Sequence, residues 1–296
     1  MSDRDDVDAT DVAGKVTHFR SYDGAVLGYE TVGEGPPLVC VPGGPGRAAS
    51  YLGDLGGLSR THTLVRFDLR GVGHSAGEFE PTTLRVDKMV NDVEALRQHL
   101  GLERINLLAH SAGAVLAMLY TATFPDKLAS LLLVTPGMSA IGVQNSTDFG
   151  ALSRQPGLDE DQRKALDAFA TLMRGDLSPD VFKVSRRALY ARWDESAQHN
   201  AFAGFSDSYL PARLGYGRDV DLDVDATIAA LRSLTVPVLM YVGERDPLVT
   251  PQMDDEAVDL LGNVDLITQL GAYHFPWIDD PQEFSKRITA AVASWD

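Results

Sequence analysis

From Val16 the chain alternates short apolar runs with longer stretches whose apolar positions recur every three or four residues. Val16–Tyr22 and Ala25–Thr31, separated by Asp23-Gly24, read as an antiparallel hairpin. Pro37–Val41 and Thr63–Phe67 are short β-branched runs, each ending in a glycine-rich loop. Thr83–Leu100 carries apolar residues at 86, 89, 90, 93, 96 and 100, which is the spacing of one helix face. Ile105 to His110 is a further strand pattern, and it passes through Ser111-Ala112-Gly113 straight into the helical run Ala114–Tyr120 with no polar linker. Leu131–Val134 follows as another buried strand. At Pro136-Gly137 the alternation stops. Residues 138–232 contain no convincing strand but several helical patterns, including Asp159–Arg174 and one that starts at Ser178-Pro179, a serine N-cap with proline at the first helical position. Strand and helix then resume with Val236–Val242, Met253–Leu261 and Val264–Gln269. A last helix starts at the capping box Asp280-Pro281-Gln282-Glu283 and is expected to run to Trp295. Two sections of strand and helix around an all-helical insert describe an α/β fold: a mostly parallel central sheet flanked by helices, with an inserted helical cap. The expected division is a core of 16–137 and 233–296 and a cap or lid of 138–232.

Composition narrows the partners. The 296 residues include 42 acidic and 26 basic ones, a formal net charge of -16. Such a surface repels phosphate backbones and anionic membranes, so the expected partner is a small molecule; oligomeric state stays open. Residues 1–15 are acidic and lack an apolar core, which reads as a disordered tail and not as a targeting segment. No apolar stretch approaches a membrane span. The single cysteine, Cys40, sits in an apolar run and reads as core, which suits a reducing, cytoplasmic setting.

The candidate chemistry centres on Ala109-His110-Ser111-Ala112-Gly113. A turn that joins a strand to a helix this tightly needs small neighbours, and it pushes the serine hydroxyl out at the carboxyl end of the strand beside a helix N-terminus. The usual form of this elbow is Gly-x-Ser-x-Gly; Ala109 adds one methyl. A serine nucleophile needs a base. The seven histidines are His18, His62, His74, His99, His110, His199 and His274. His274, in the loop after the last strand, lies at the end of the sheet where ligands bind in open α/β folds. His74, also in a loop after a strand, is its competitor, and the geometry of the elbow points His110 away from the serine. The acid should precede the histidine in the chain. Asp246, in Gly243-Glu244-Arg245-Asp246-Pro247, fits, with Glu244 as the alternative. An oxyanion hole needs two backbone N–H groups: Ala112 supplies one, and Gly44 in Pro42-Gly43-Gly44-Pro45-Gly46 is the expected second.

With these parts placed, the chain resembles the α/β-hydrolase superfamily over nearly its whole length after residue 15. Asp68-Leu69-Arg70-Gly71-Val72-Gly73-His74-Ser75 is a loop signature of many members. Gly43-Gly44-Pro45-Gly46 is similar to the His-Gly-Gly-Pro-Gly loop of proline iminopeptidases, with Pro42 in place of the leading histidine. The resemblance implies a serine hydrolase that needs no cofactor or metal and works through an acyl-enzyme, as an aminopeptidase or carboxylesterase type. It also implies acidic cap residues that hold a substrate's amino group. Trp193-Asp194 is similar to the family's Trp-Glu, which makes Asp194 the candidate, with Glu195 beside it. Tyr190, Trp193 and Phe205 are among the cap aromatics that would line an apolar pocket.

Three other readings compete. An esterase, lactonase or cofactor-free perhydrolase would use the same three groups. A dinucleotide-binding protein is suggested by Gly44-Pro45-Gly46-Arg47-Ala48-Ala49 and Asp68, although Gly53, Gly56 and Gly57 make a poor helix for the phosphate. A non-catalytic binding protein of the same fold would have no need of all three groups.

Overall fold

The computed structural model describes residues 14–206 and 208–292. Among the described residues eight strands form one sheet: β1 (Lys15–Arg20), β2 (Val26–Val32), β3 (Pro37–Val41), β4 (Thr63–Phe67), β5 (Ile105–His110), β6 (Leu128–Val134), β7 (Val238–Gly243) and β8 (Asp265–Gln269). Their spatial order is β1-β2-β4-β3-β5-β6-β7-β8. The first two pairings are antiparallel and all the others parallel. The carboxyl ends of β3, β5, β7 and β8 therefore open on one edge, where the loops carrying Gly44, Ser111, Asp246 and His274 begin.

The helices are α1 (Val86–His99), α2 (Gly113–Thr123), α3 (Phe149–Ser153), α4 (Glu160–Met173), α5 (Pro179–Ser185), α6 (Glu195–Ser206), α7 (Leu210–Gly215), α8 (Val224–Arg232), α9 (Pro251–Leu261), α10 (Pro276–Asp279) and α11 (Pro281–Val292). The central strands are apolar on both sides because each face has its own cover. Val39, Leu107, Leu131 and Met240 point into the cluster with α1, α2, α8 and α9. Leu38, Leu108, Leu132 and Tyr241 point into the cluster with α11 and the helices of the insert. A one-residue slip of any of these strands would exchange the two faces, so the register is strongly specified.

Several boundaries differ from expectation. The helix expected from Thr83 begins at Val86: Pro81–Leu84 forms a separate 3-10 turn, and Arg85 is extended at φ -79, ψ 142. The expected tail of residues 1–15 already enters β1 at Lys15, and residues 1–13 lie outside the described residues, as does Trp295 at the expected end of the last helix. Within the stretch expected as a cap, α8 packs on α2 and α9 and buries Leu231 in the core cluster. It belongs to the helical layer on the sheet. The dinucleotide reading fails on geometry, because the glycine-rich loop after β3 leads into a 3-10 turn of 4 residues, Ala49–Leu52. Asp68 spends its carboxylate on the backbone N–H groups of Ala49 and His74.

Candidate active site

Ser111 has φ +52, the left-handed region that a non-glycine residue occupies only under strain. The strain is held by three backbone anchors. Ser111 N–H donates to Val134 O at 3.0 Å, and the Ser111 carbonyl accepts from the N–H groups of Ala114 at 2.9 Å and Gly137 at 2.8 Å. Gly113 is required because a Cβ there would stand 2.5 Å from Pro42 O and 2.9 Å from Val41 O, both backbone atoms. The extra methyl of Ala109 is fully buried within β5.

The elbow presents Ser111 Oγ 2.9 Å from His274 Nε2, and His274 Nδ1 lies 2.7 Å from Asp246 Oδ2. The second Asp246 oxygen accepts from the Leu248 N–H at 2.8 Å, which fixes the carboxylate plane. An ionised Asp246 can only accept, so Nδ1 carries the proton and Nε2 is left to accept from the serine hydroxyl. Glu244, the alternative acid, bonds instead to the Gly271 N–H. His74 bonds to Asp68 at 2.9 Å and supports its own loop.

A second hydrogen-bonded path runs beneath this row. Gly43 N–H donates to Tyr51 Oη at 2.7 Å, and Tyr51 Oη lies 2.6 Å from His110 Nδ1. His110 Nε2 is 3.1 Å from the His274 carbonyl, which also accepts from Thr135 Oγ1 at 3.1 Å. Burial, reinforced by nearby His274, holds the His110 pKa well below its usual value. His110 is therefore a neutral imidazole, donating through Nε2 and accepting through Nδ1. This path ties the Gly43-Gly44 loop to the histidine backbone. Tyr51 and Thr135 carried no sequence signal, since each is one hydroxyl with no motif around it.

Neither Gly44 N–H nor Ala112 N–H donates to a protein acceptor among the described residues. Both residues line cavities that meet at Ser111 and His274. The larger, about 480 Å³, is walled mainly by apolar groups, among them Val115, Met138, Val143, Tyr216, Leu248 and Met253. The smaller, about 250 Å³, is walled by the Gly44 loop, Tyr51, His110, Phe275 and side chains of α4 to α7.

The cap candidates are dispersed. Asp194 accepts from the Ala197 N–H at 3.0 Å and stands 3.6 Å from Arg192, so it caps α6 at an exposed position and lines neither cavity. This corrects its expected role as an ammonium receptor: its carboxylate is committed to the helix start. Glu195 is exposed in the first turn of the same helix. Tyr190 is buried, stacked on Phe275 at 4.6 Å with its hydroxyl on Asn200, and Trp193 packs on Tyr190 and Phe202. Both are part of the packing that holds the His274 loop and line neither cavity. The side chain of Phe205 lies outside the described residues.

Asp254, near the start of α9, is a further buried acid. Its Oδ1 has no partner among the described residues, and burial, with the charges of Asp246 and Asp255, pushes its pKa up to about 7. A carboxyl whose folded-state pKa is raised contributes stability that is full below the unfolded value near 4 and is lost as pH rises through about 7. Asp254→Asn removes that loss. Denaturant unfolding should show the variant gaining on the wild type between pH 5 and pH 8 by at least about 1.4 kcal/mol, the equivalent of one pKa unit. A gain independent of pH would show that Asp254 is ionised in the folded protein.

Residues 36–281 match the family model for the alpha/beta hydrolase fold, and the chain belongs to that family. Proline iminopeptidase of Levilactobacillus brevis is 25% identical over 97% of this chain and 98% of its own length. That of Heyndrickxia coagulans is 31% identical, but the match covers 44% of this chain and 43% of that relative, less than half its length. Among solved structures, a putative aryl esterase from Burkholderia cenocepacia superposes with TM-score 0.72 at 17% identity, covering 95% of this chain and 98% of that one. Among the described residues no helix is long and apolar enough to cross a membrane.

Proposed function

We propose that the protein is a serine hydrolase that cleaves esters of small, partly apolar substrates through an acyl-enzyme. The observation that carries this reading is the hydrogen-bonded row Ser111–His274–Asp246, with its serine held at positive φ at the sheet edge. As Ser111 Oγ attacks the scissile carbonyl carbon, His274 Nε2 takes its proton, and Asp246 stabilises the imidazolium. The carbonyl oxygen becomes an oxyanion received by the N–H groups of Gly44 and Ala112. Collapse of the tetrahedral adduct breaks the bond to the leaving group, which collects the proton from His274. Water activated by His274 then releases the acid and restores Ser111. His110, Tyr51 and Thr135 are positioning residues that hold the histidine backbone. Helices α3 to α7 act as the lid, and the 480 Å³ cavity takes the apolar part of the substrate.

The iminopeptidase relatives and the Gly43-Gly44-Pro45-Gly46 loop favour a second reading, in which the substrate presents a free amino group. An ammonium needs a carboxylate partner when it is desolvated. Among the described residues no Asp or Glu lines either cavity at Ser111, which is why the ester reading stands first. A screen of p-nitrophenyl esters beside proline and alanine p-nitroanilides decides between them. The ester reading expects kcat/KM for acyl esters of two to six carbons to exceed that for either anilide by more than about a hundredfold, beyond the activation of the ester itself. Efficient proline anilide turnover with poor ester turnover would replace it with the aminopeptidase reading.

A further inference from the structure

The smaller cavity carries a charge that the proposed reaction does not use. Arg47, Arg186 and Arg213 all line it, together with Ser111 and His274, and among the described residues no Asp or Glu does. In a chain of net charge -16, this reverses the sign of the surroundings at the point where a substrate would lie.

The other well-buried arginines are neutralised. Arg66 pairs with Glu30 at 2.6 Å, Arg70 with Asp92 at 2.6 Å and Asp23 at 2.7 Å, and Arg97 with Glu94 at 2.6 Å. Even Arg187, adjacent to Arg186, has Asp159 at 3.6 Å. Arg47, Arg186 and Arg213 have no carboxylate partner among the described residues. The Nε atoms of Arg47 and Arg186 are buried without any hydrogen-bond partner among those residues. Burial, with repulsion from Arg47 and Arg213 and against the opposing effect of Tyr190, lowers the Arg186 pKa to about 10, so it remains charged at neutral pH. Three guanidiniums with no carboxylate partner among the described residues repel each other across one small space, and that cost is offset when an anion enters.

The guanidiniums are also oriented in advance. Arg47 lies over the Tyr51 ring at 3.8 Å and donates to the Asn200 carbonyl, and Arg186 lies over the Phe182 ring at 4.2 Å. Stacking of this kind fixes the plane of the donor fork, which suits bidentate capture of a carboxylate.

We propose that Arg47, Arg186 and Arg213 form an anion subsite, and that the preferred substrate is an ester carrying a carboxylate at the end of its acyl or its leaving arm. This rests on the ester-hydrolase reading and adds the substrate class. The neutral remainder of the substrate occupies the apolar cavity, so the substrate spans Ser111 with one charged and one apolar arm.

The test compares matched pairs of esters. Mono-p-nitrophenyl adipate against p-nitrophenyl hexanoate places the carboxylate on the acyl side, and 4-carboxyphenyl acetate against phenyl acetate places it on the leaving side. In one of the two pairs, after correction for uncatalysed hydrolysis, the wild type should favour the anionic ester in kcat/KM by at least about tenfold. The same ratio should fall by roughly tenfold in Arg186→Met and in the more accessible Arg213→Gln, and it should shrink as ionic strength rises. A wild-type ratio of one or less in both pairs overturns the subsite, as does a ratio that survives in both variants. If neither ester is turned over, the hydrolase reading fails. The subsite is then read by calorimetry on Ser111→Ala with adipate monomethyl ester: binding that Arg213→Gln weakens at least about tenfold supports it, and absence of binding at millimolar ligand refutes it.

Discussion

Ser111→Ala and His274→Ala should each lower kcat on a p-nitrophenyl ester by at least about four orders of magnitude, with folding intact by circular dichroism. The size follows from function as a unit: without the Oγ no acyl-enzyme forms, and without the imidazole the hydroxyl keeps its proton. Ser111→Ala also removes one side of a 2.9 Å hydrogen bond at a buried histidine but leaves the backbone anchors of the elbow in place. His74→Ala is the contrast. His74 bonds to Asp68 and lines neither cavity, so most of the turnover should remain. An inactive His74→Ala beside an active His274→Ala would reverse the assignment of the base.

Gly113→Ala should also lower activity strongly, through geometry and not chemistry. The added Cβ would lie 2.5 Å from Pro42 O and 2.9 Å from Val41 O. These are backbone atoms of the strand end that leads into the Gly43-Gly44 loop, and β3 is paired on both sides, with β4 and β5. It therefore cannot retreat without breaking a ladder. Overpacking of this kind costs about 1–3 kcal/mol. If relief comes by displacing the loop, Gly44 N–H leaves the position where the oxyanion develops, a loss worth about a hundred- to a thousand-fold in kcat. Denaturation and steady-state kinetics on the same preparation read both effects. Wild-type stability and wild-type kcat together would show that the elbow and the loop are not packed as described.

The parts of this protein that were legible in the sequence are those with a local signature. Ile105 to Tyr120 shows a strand breaking into a helix around one serine, because small residues at 109, 112 and 113 are what that turn needs. His274 and Asp246 were reachable because topology places the ends of the last two strands at the same edge. Helix boundaries were less legible. The periodicity that starts near Thr83 continues through a 3-10 turn, and the pattern of α8 is the same whether a helix covers a site or a sheet. Asp194 was misread because a dipeptide resemblance says nothing of where a carboxylate points. In the fold it accepts from the Ala197 N–H, in the first turn of the helix it begins. The arginine cluster was illegible for the opposite reason. Arg47 comes from the loop after β3, Arg186 from the turn after α5 and Arg213 from α7, so only the fold brings them together.

Incubation of the wild type with an alkyl fluorophosphonate, followed by intact mass and peptide mapping, tests the central claim most directly. Attack by Ser111 Oγ should displace fluoride and leave one phosphonyl group on the peptide that contains Ser111. The adduct should be absent from Ser111→Ala and should form far more slowly on His274→Ala. A folded wild-type protein that stays unlabelled, or that carries the label on another residue, would contradict the account.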